Sequence, residues 1–239
     1  RRHRGPDCGT VGCFHRPAGA QLRLLTKAPY GNPSHLKPSS IASAKPVAAS
    51  ARPVTVHRSL AGLLKAVRAC HACEAHLPHG VRPVLQAGPS ARILIVGQAP
   101  GARVHASGIP WDDKSGERLR RWMGIDAETF YDATRVAIVP MAFCYPGRGA
   151  SGDLPPRREC AALWLDQVLA KLPKIELTLL IGGYAQTHFL RRTGHTSLTA
   201  TTRDWRALAP RVIPLPHPSP RNIAWFQANR WFDDELVPV

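Results

Sequence analysis

The chain has 239 residues, a length that suits one α/β domain with additional sequence at one end. Hydrophobic residues make up 44% of it, which is enough for a sizeable core, and none of its apolar runs approaches the roughly 20 residues of a membrane-spanning helix. Its net charge of +16 favours a polyanionic partner.

The first segment, residues 1–56, is rich in Pro, Ser, Ala, Gly and Arg and has no periodicity of 2 or 3.6. We therefore predict a disordered basic extension, followed by one ordered domain over residues 57–239. Cys8 and Cys13 lie in this extension, and we predict no structural role for them. Because no secretory signal is recognisable, we expect a cytoplasmic protein, associated with the nucleoid in a bacterial-type cell.

The first predicted helix begins at Ser59, a good N-cap residue. It is followed by four apolar side chains at the spacing of an amphipathic helix, namely Leu60, Leu63, Leu64 and Val67. This helix leads directly to Cys70 and Cys73.

From residue 91 onward, strands and helices alternate. Apolar runs predict strands at 92–97, 135–140, 177–182 and 211–215, and helical patterns lie at 117–123, 157–172, 184–191 and 222–230. Continuous apolar strands separated by helices predict a three-layer α/β/α fold with a central four-stranded parallel sheet. Ligands of such sheets bind beyond the carboxyl ends of the strands, so we expect the site in the loops there.

The loop after the first predicted strand has the sequence GQAPG, from Gly97 to Gly101. Its glycines allow close approach of a ligand to the backbone, where Gln98 and Ala99 offer N–H groups. The loop after the fourth strand has the sequence HPSPRN, from His217 to Asn222. Two prolines stiffen it, so we expect His217 to be held in one place as a functional side chain.

Four cysteines form two pairs in the ordered part, a C-x2-C pair (Cys70 and Cys73) and a C-x15-C pair (Cys144 and Cys160). Four thiolates can hold either an iron–sulfur cluster or a zinc ion, and ligand type alone does not separate the two. The alternative is that they are free thiols. We expect the nearby His71, His76 and His79 to be incidental to any such site.

GQAPG, HPSPRN and the cysteine spacing together resemble the uracil-DNA glycosylase superfamily over residues 59–235. The first motif and the cysteines resemble the iron–sulfur, family 4 enzymes, and the second motif resembles the single-strand-selective monofunctional branch. The resemblance implies a DNA glycosylase that flips a uracil or another deaminated base into a pocket, hydrolyses its N-glycosidic bond and acts in base excision repair. It also implies a 4Fe-4S cluster on the four cysteines, with structural zinc as the alternative.

The resemblance assigns roles to individual residues. His217 and Gln98 would be catalytic, with His217 stabilising the departing base. Base binding falls to Gly97, Gln98, Ala99, Trp111 and Pro140, with Trp111 either stacking on the base or packing in the core. DNA would be bound by Ser219, Arg221 and Asn222. Three arginines of the 144–160 segment either contact the DNA phosphates as well or are simply solvated, namely Arg148, Arg157 and Arg158. We expect a monomer.

Two positions depart from the family pattern. Ala99 stands where family 1 enzymes have a water-activating Asp, and family 4 enzymes also have an alanine there. Pro140 stands where family 4 enzymes have the Asn that reads the uracil edge. These departures leave two other functions open: a damaged-DNA-binding protein with weak or no turnover, and a hydrolase of free nucleotides.

Overall fold

The computed structural model describes residues 57–190 and 197–239. These residues belong to one compact unit of the chain. The predicted basic extension at 1–56, with Cys8 and Cys13, lies outside the described residues. So does residue 191, the last residue of a predicted helix.

The strands of the described part are short and, apart from two, strongly apolar. They are β1 (Ile93–Val96), β2 (Val136–Ile138), β3 (Arg148–Gly149), β4 (Gly152–Asp153), β5 (Leu177–Ile181) and β6 (Val212–Leu215). β2, β1, β5 and β6 form a four-stranded sheet in that order, with every neighbouring pair parallel. The predicted central sheet is confirmed.

The helices are α1 (Leu60–Arg68), α2 (Ala102–Ser107), α3 (Lys114–Met123), α4 (Ala127–Tyr131), α5 (Arg158–Cys160), α6 (Asp166–Leu169), α7 (Gly183–Leu190), α8 (Leu198–Arg203) and α9 (Ile223–Ala228). A π-helical turn at Ala161–Leu165 joins α5 to α6, so this run matches the helix predicted at 157–172. The short helices α2, α4 and α8 were not predicted. No helix in the described ranges is both long and apolar enough to span a bilayer.

Helix α1 forms where the sequence predicts it. The Ser59 side-chain oxygen accepts a hydrogen bond from the Gly62 N–H at 3.1 Å, which caps the helix. Leu63, Leu64 and Val67 are buried on one face. Burying a leucine side chain of this kind contributes about 1.5–3 kcal/mol, so the apolar stripe fixes the helix against the domain.

Two hydrophobic clusters lie on opposite faces of the sheet. Leu94 and Val96 pack in one cluster with α1, whereas Ile95 packs in the other with Leu119 and Phe130. Successive side chains of a strand point to opposite faces, so β1 supplies both layers. This arrangement is the predicted three-layer α/β/α fold, and it brings the loops after the parallel strands to one edge.

The long connection between β2 and α5 contains a hairpin that was not predicted. β3 and β4 pair antiparallel, with Arg148 opposite Asp153 and Gly149 opposite Gly152. The connection runs from residue 139 to residue 157; Cys144 lies within it, and Cys160 is the last residue of α5. We call residues 144–160 the excursion.

Candidate functional site

The GQAPG loop is joined by backbone hydrogen bonds to the loop that follows β2. Gly97 O accepts from the Met141 N–H at 2.9 Å, and Gln98 O accepts from the Ala142 N–H at 3.1 Å. On its other side, Gln98 Nε2 donates to Leu154 O of the excursion at 3.3 Å. The loop is therefore held between two other segments of the chain.

Trp111 lies beside this loop, as the sequence predicts. A methyl group at Gly97 would lie 3.0 Å from Trp111 Cζ2, so glycine is what lets the indole ring approach the backbone so closely. Trp111 has a φ of 58°. It is the only non-glycine residue in the described ranges with a positive φ. Its carbonyl oxygen accepts from the Tyr131 hydroxyl at 3.4 Å. Strained backbone of this kind is concentrated at functional sites.

His217 stands at the carboxyl end of β6 and is half-buried. Its Nδ1 accepts a hydrogen bond from the Ser219 N–H at 3.2 Å, so the proton of the neutral ring resides on Nε2. The Asn222 side chain donates to His217 O at 2.8 Å. The imidazole is 5.4 Å from the Trp111 ring, measured between ring centroids. The two loop motifs therefore meet at the pair Trp111 and His217.

Burial lowers the pKa of His217, because removing the imidazolium from water disfavours its charged form. The carboxylates of Asp113 and Asp153 act in the opposite direction but do not outweigh this effect. The ring is therefore neutral at pH 7, with one N–H to donate.

These two carboxylates were not predicted as parts of the site. Asp113 Oδ1 accepts from the Gly116 N–H at 2.8 Å and so caps α3. Asp153 belongs to the β3–β4 hairpin, and a methyl group at Gly101 would lie 3.7 Å from its Oδ2. Burial raises the pKa of the Tyr145 hydroxyl, and the nearby Asp153 carboxylate raises it further.

The predicted DNA-binding residues lie together after His217. The Ser219 hydroxyl oxygen accepts from the Arg221 N–H at 3.2 Å and begins a 3-10 turn at Pro220–Asn222. Arg221 is exposed and lies against the hairpin, where its guanidinium would be 2.8 Å from a methyl group at Gly152. Asn222 contacts the backbone of His217, so the structure gives it a positioning contact in addition to its predicted role.

The two departures from the family pattern differ in burial. Pro140 is buried two residues after β2, and Ala99 is partly buried and packs against the hydrophobic cluster that contains α1. Neither residue has a side-chain donor or acceptor. At these positions, only backbone groups could form hydrogen bonds with the edge of a base.

All four predicted cysteine ligands line one cavity. Cys70, Cys73, Cys144 and Cys160 are its thiols, and the empty space between its walls is about 390 Å³, including the part open to solvent. Its lining contains none of His71, His76 and His79 among the described residues. No three His, Cys, Asp or Glu side chains in the described ranges form a group that could hold a single metal ion.

Two of the four sulfurs accept a hydrogen bond from nitrogen. The Trp164 indole N–H donates to Cys70 Sγ and the Phe143 N–H donates to Cys160 Sγ, both at 3.2 Å. At Cys73 and Cys144, burial raises the pKa, and the Arg157 side chain and the Arg82 backbone respectively oppose that rise. N–H donors of this kind stabilise thiolates and ligated sulfur, so the donor set and its surroundings fit an iron–sulfur cluster.

Without a bound metal, burial disfavours the thiolate form of these side chains. It raises the pKa of Cys144 to about 11 and that of Cys160 to about 12, and it also raises the pKa of Cys73. Thiols buried in this way are unreactive as nucleophiles at neutral pH. They become ligands when a cation replaces the proton.

The remaining basic candidates differ in their surroundings. Arg148 and Arg158 are exposed, on the hairpin and at the start of α5. Arg157 forms an ion pair with Glu159 and lines the cysteine cavity. Arg157 is therefore engaged within the protein, whereas the other two present their charge to solvent.

A family model described as "Uracil DNA glycosylase superfamily" matches residues 85–238. The match covers nearly two thirds of the chain and includes both loop motifs, the excursion and all four strands of the sheet. It begins after α1 and the Cys70–Cys73 pair.

Proposed function

This chain belongs to the uracil DNA glycosylase superfamily, whose members are glycosylase hydrolases that act on DNA, and we propose that it removes uracil or another deaminated base from DNA. The reaction would be monofunctional: hydrolysis of the N-glycosidic bond without strand cleavage, as the first step of base excision repair. Residues 57–239 would form the glycosylase domain.

The observation that carries this proposal is the state of His217. Its neutral ring has Nδ1 occupied by the Ser219 N–H and its proton on Nε2, next to Trp111 and the GQAPG loop. Breaking an N-glycosidic bond leaves negative charge on the departing base. A preorganised N–H donor aimed at developing charge lowers the barrier, because it needs no reorganisation during the reaction.

The other residues of the site would bind and orient the flipped nucleotide. Trp111 would stack on the base, which is worth about 1–3 kcal/mol per base on an aromatic side chain. The backbone N–H groups of Gln98 and Ala99 would bind a base carbonyl. Ser219 and Arg221 would hold the phosphates of the distorted strand, and Asn222 would keep the loop of His217 in place.

We propose that Cys70, Cys73, Cys144 and Cys160 hold a 4Fe-4S cluster, as in the family 4 type. One cavity lined by four thiols, two of which accept N–H hydrogen bonds, supports a cluster of several atoms over a single zinc ion. The cluster would act as a structural cross-link, and no step of the hydrolysis requires electron transfer. It would fix both ends of the excursion, which carries the Leu154 carbonyl that Gln98 contacts.

A damaged-DNA-binding protein with weak or no turnover is the second candidate, and the surroundings of Pro140 favour it. The N–H groups of Met141 and Ala142, which follow Pro140, are engaged by Gly97 O and Gln98 O. They do not supply the base-reading contacts that the Asn of family 4 enzymes makes. Such a pocket could hold an extruded base with little selectivity for uracil.

Base release from a panel of oligonucleotides tests the proposal. Each oligonucleotide carries one uracil, hypoxanthine or xanthine and is treated with the intact protein, and abasic sites are then cleaved with alkali. We expect strand cleavage for at least one of these bases and none for undamaged DNA. Tight binding of all of them without any abasic sites would leave the DNA-binding protein as the function.

Salt dependence separates both candidates from a hydrolase of free nucleotides. A protein that contacts several phosphates loses affinity steeply as salt concentration rises, because bound counterions are released. A nucleotide hydrolase would show a shallow dependence and would act on deoxyuridine monophosphate as well as on DNA.

A further inference from the structure

In this chain, the first motif has Ala99 where some members of the superfamily have an aspartate. The carboxylate of Asp153, from another part of the chain, lies near the same loop. Asp153 Oδ2 would lie 3.7 Å from a methyl group at Gly101, two positions after Ala99. Asp153 also acts electrostatically on His217. The carboxylate therefore lies near both loop motifs, although it is 54 residues after one and 64 before the other.

We propose that Asp153 is a catalytic residue that accepts a proton from the attacking water and offsets the positive charge that develops on the sugar. This inference rests on the proposed glycosylase function. In the step, the water oxygen forms a bond to C1′ and the C1′–N bond breaks, with its electron pair going to the base. The water proton goes to the Asp153 carboxylate and from there to solvent or to the departed base.

Several contacts hold Asp153 in this position. The carboxylate lies near Tyr145, a side chain that is 2% exposed, and after burial it is the next cause of the raised pKa of that hydroxyl. The β3–β4 pairing places Arg148 opposite Asp153, and Gln98 is tied to the next residue through Leu154 O. A carboxylate on a hairpin that is held to the GQAPG loop is preorganised for proton transfer at one position.

The charged and titratable groups around Asp153 come from two segments. Tyr145 and Arg148 belong to the excursion, while His217 and Arg221 belong to the loop after β6. The Nδ1 of His217 already accepts the Ser219 N–H and its Nε2 carries the proton, so the ring has no free lone pair and a carboxylate must accept the proton. The two arginines are exposed.

Asp113 is the competing carboxylate, because it too acts on His217. One of its oxygens is already occupied by the Gly116 N–H at 2.8 Å, as the cap of α3. Asp113 therefore has a structural role that accounts for its position, whereas Asp153 is exposed on a two-residue strand that needs no carboxylate.

Two DNA probes distinguish a catalytic carboxylate from a structural one. One contains a positively charged pyrrolidine in place of the target nucleotide, which mimics the cationic transition state, and the other contains a neutral tetrahydrofuran. We expect Asp153→Asn to lower single-turnover base release by about 100-fold, in the range of lost general-base catalysis. Its affinity for the pyrrolidine probe should fall by about tenfold or more, because this probe resembles the transition state. Its affinity for the tetrahydrofuran probe should stay at the wild-type value.

Asp113→Asn is the matched variant, since Asn caps a helix as well as Asp does. We expect it to keep the full preference for the pyrrolidine probe. The inference is overturned if Asp153→Asn releases base at the wild-type rate, if it loses affinity for both probes equally, or if Asp113→Asn alone loses the preference. A wild-type protein that releases no base from any substrate overturns the proposed function and this inference with it. If the wild type releases base and Asp153→Asn releases it equally fast, only this inference is overturned.

Discussion

Replacing His217 by alanine removes the N–H donor of the proposed site. Its backbone position is fixed separately, since Asn222 Nδ2 donates to the main-chain oxygen of residue 217 at 2.8 Å and the prolines on either side of Ser219 remain. Losing one preorganised donor costs about 2.7–4 kcal/mol of transition-state stabilisation. At about 1.36 kcal/mol per factor of ten, base release should slow by about 100- to 900-fold.

The assay is single-turnover base release at pH 7.5 with protein in excess over the best substrate of the panel. Affinity for the tetrahydrofuran probe serves as the control, because the donor acts on charge that is absent from the ground state. Asn222→Ala, which keeps the imidazole but removes its support, should give an intermediate rate. A His217→Ala protein that releases base at nearly the wild-type rate, or that loses affinity and rate in equal measure, would refute this account of His217.

Three further expectations follow from the geometry. Because burial lowers the pKa of His217, its ring is neutral, and the rate of base release should stay level as pH rises from about 7 to about 9. A tenfold loss of rate per pH unit would mean that the imidazolium form donates. A methyl group at Gly116 would lie 1.8 Å from Trp111 O, so Gly116→Ala should lower the free energy of unfolding by about 1–3 kcal/mol in a denaturant titration. Gly183→Ala, where a methyl group meets no atom within 4 Å, should instead be neutral or stabilising. Purified protein should be brown with a broad absorption near 400 nm that Cys160→Ser abolishes, whereas a colourless protein with stoichiometric zinc would refute the cluster.

Most of the fold is predictable from the sequence because its signals are local. Ser59 precedes an apolar stripe, and the strands of the sheet are continuous apolar runs such as Ile93–Val96. The hairpin at residues 148–153 carries no such signal, because strands of two residues that contain glycine show neither alternation nor β-branched side chains. The short helices α2 and α8 were missed for a related reason, since six residues are too few to establish a period.

The candidate site also contains some residues that the sequence predicts and others that it does not. Trp111 and His217 were predicted because they belong to motifs, and the structure brings their rings to 5.4 Å. Asp113 and Asp153 were missed as neighbours of His217, since only the folded chain brings them close to it. The H-bond donors to the cysteines were missed likewise, because Trp164 is 94 residues from Cys70. The signal that could have found Asp153 was its place between Cys144 and Cys160.

The hydrogen bonds from Met141 and Ala142 to the carbonyls of Gly97 and Gln98 continue the pairing of β1 with β2 beyond the end of both strands. The two loops are thereby ordered when the sheet forms, so most of their conformational entropy is lost during folding and little remains to be lost on binding. If a base binds against these loops, as proposed, it would meet walls of fixed spacing that cannot close around a smaller base or open for a larger one. Selection among bases would therefore depend on size and on how easily each base leaves its stack in the duplex.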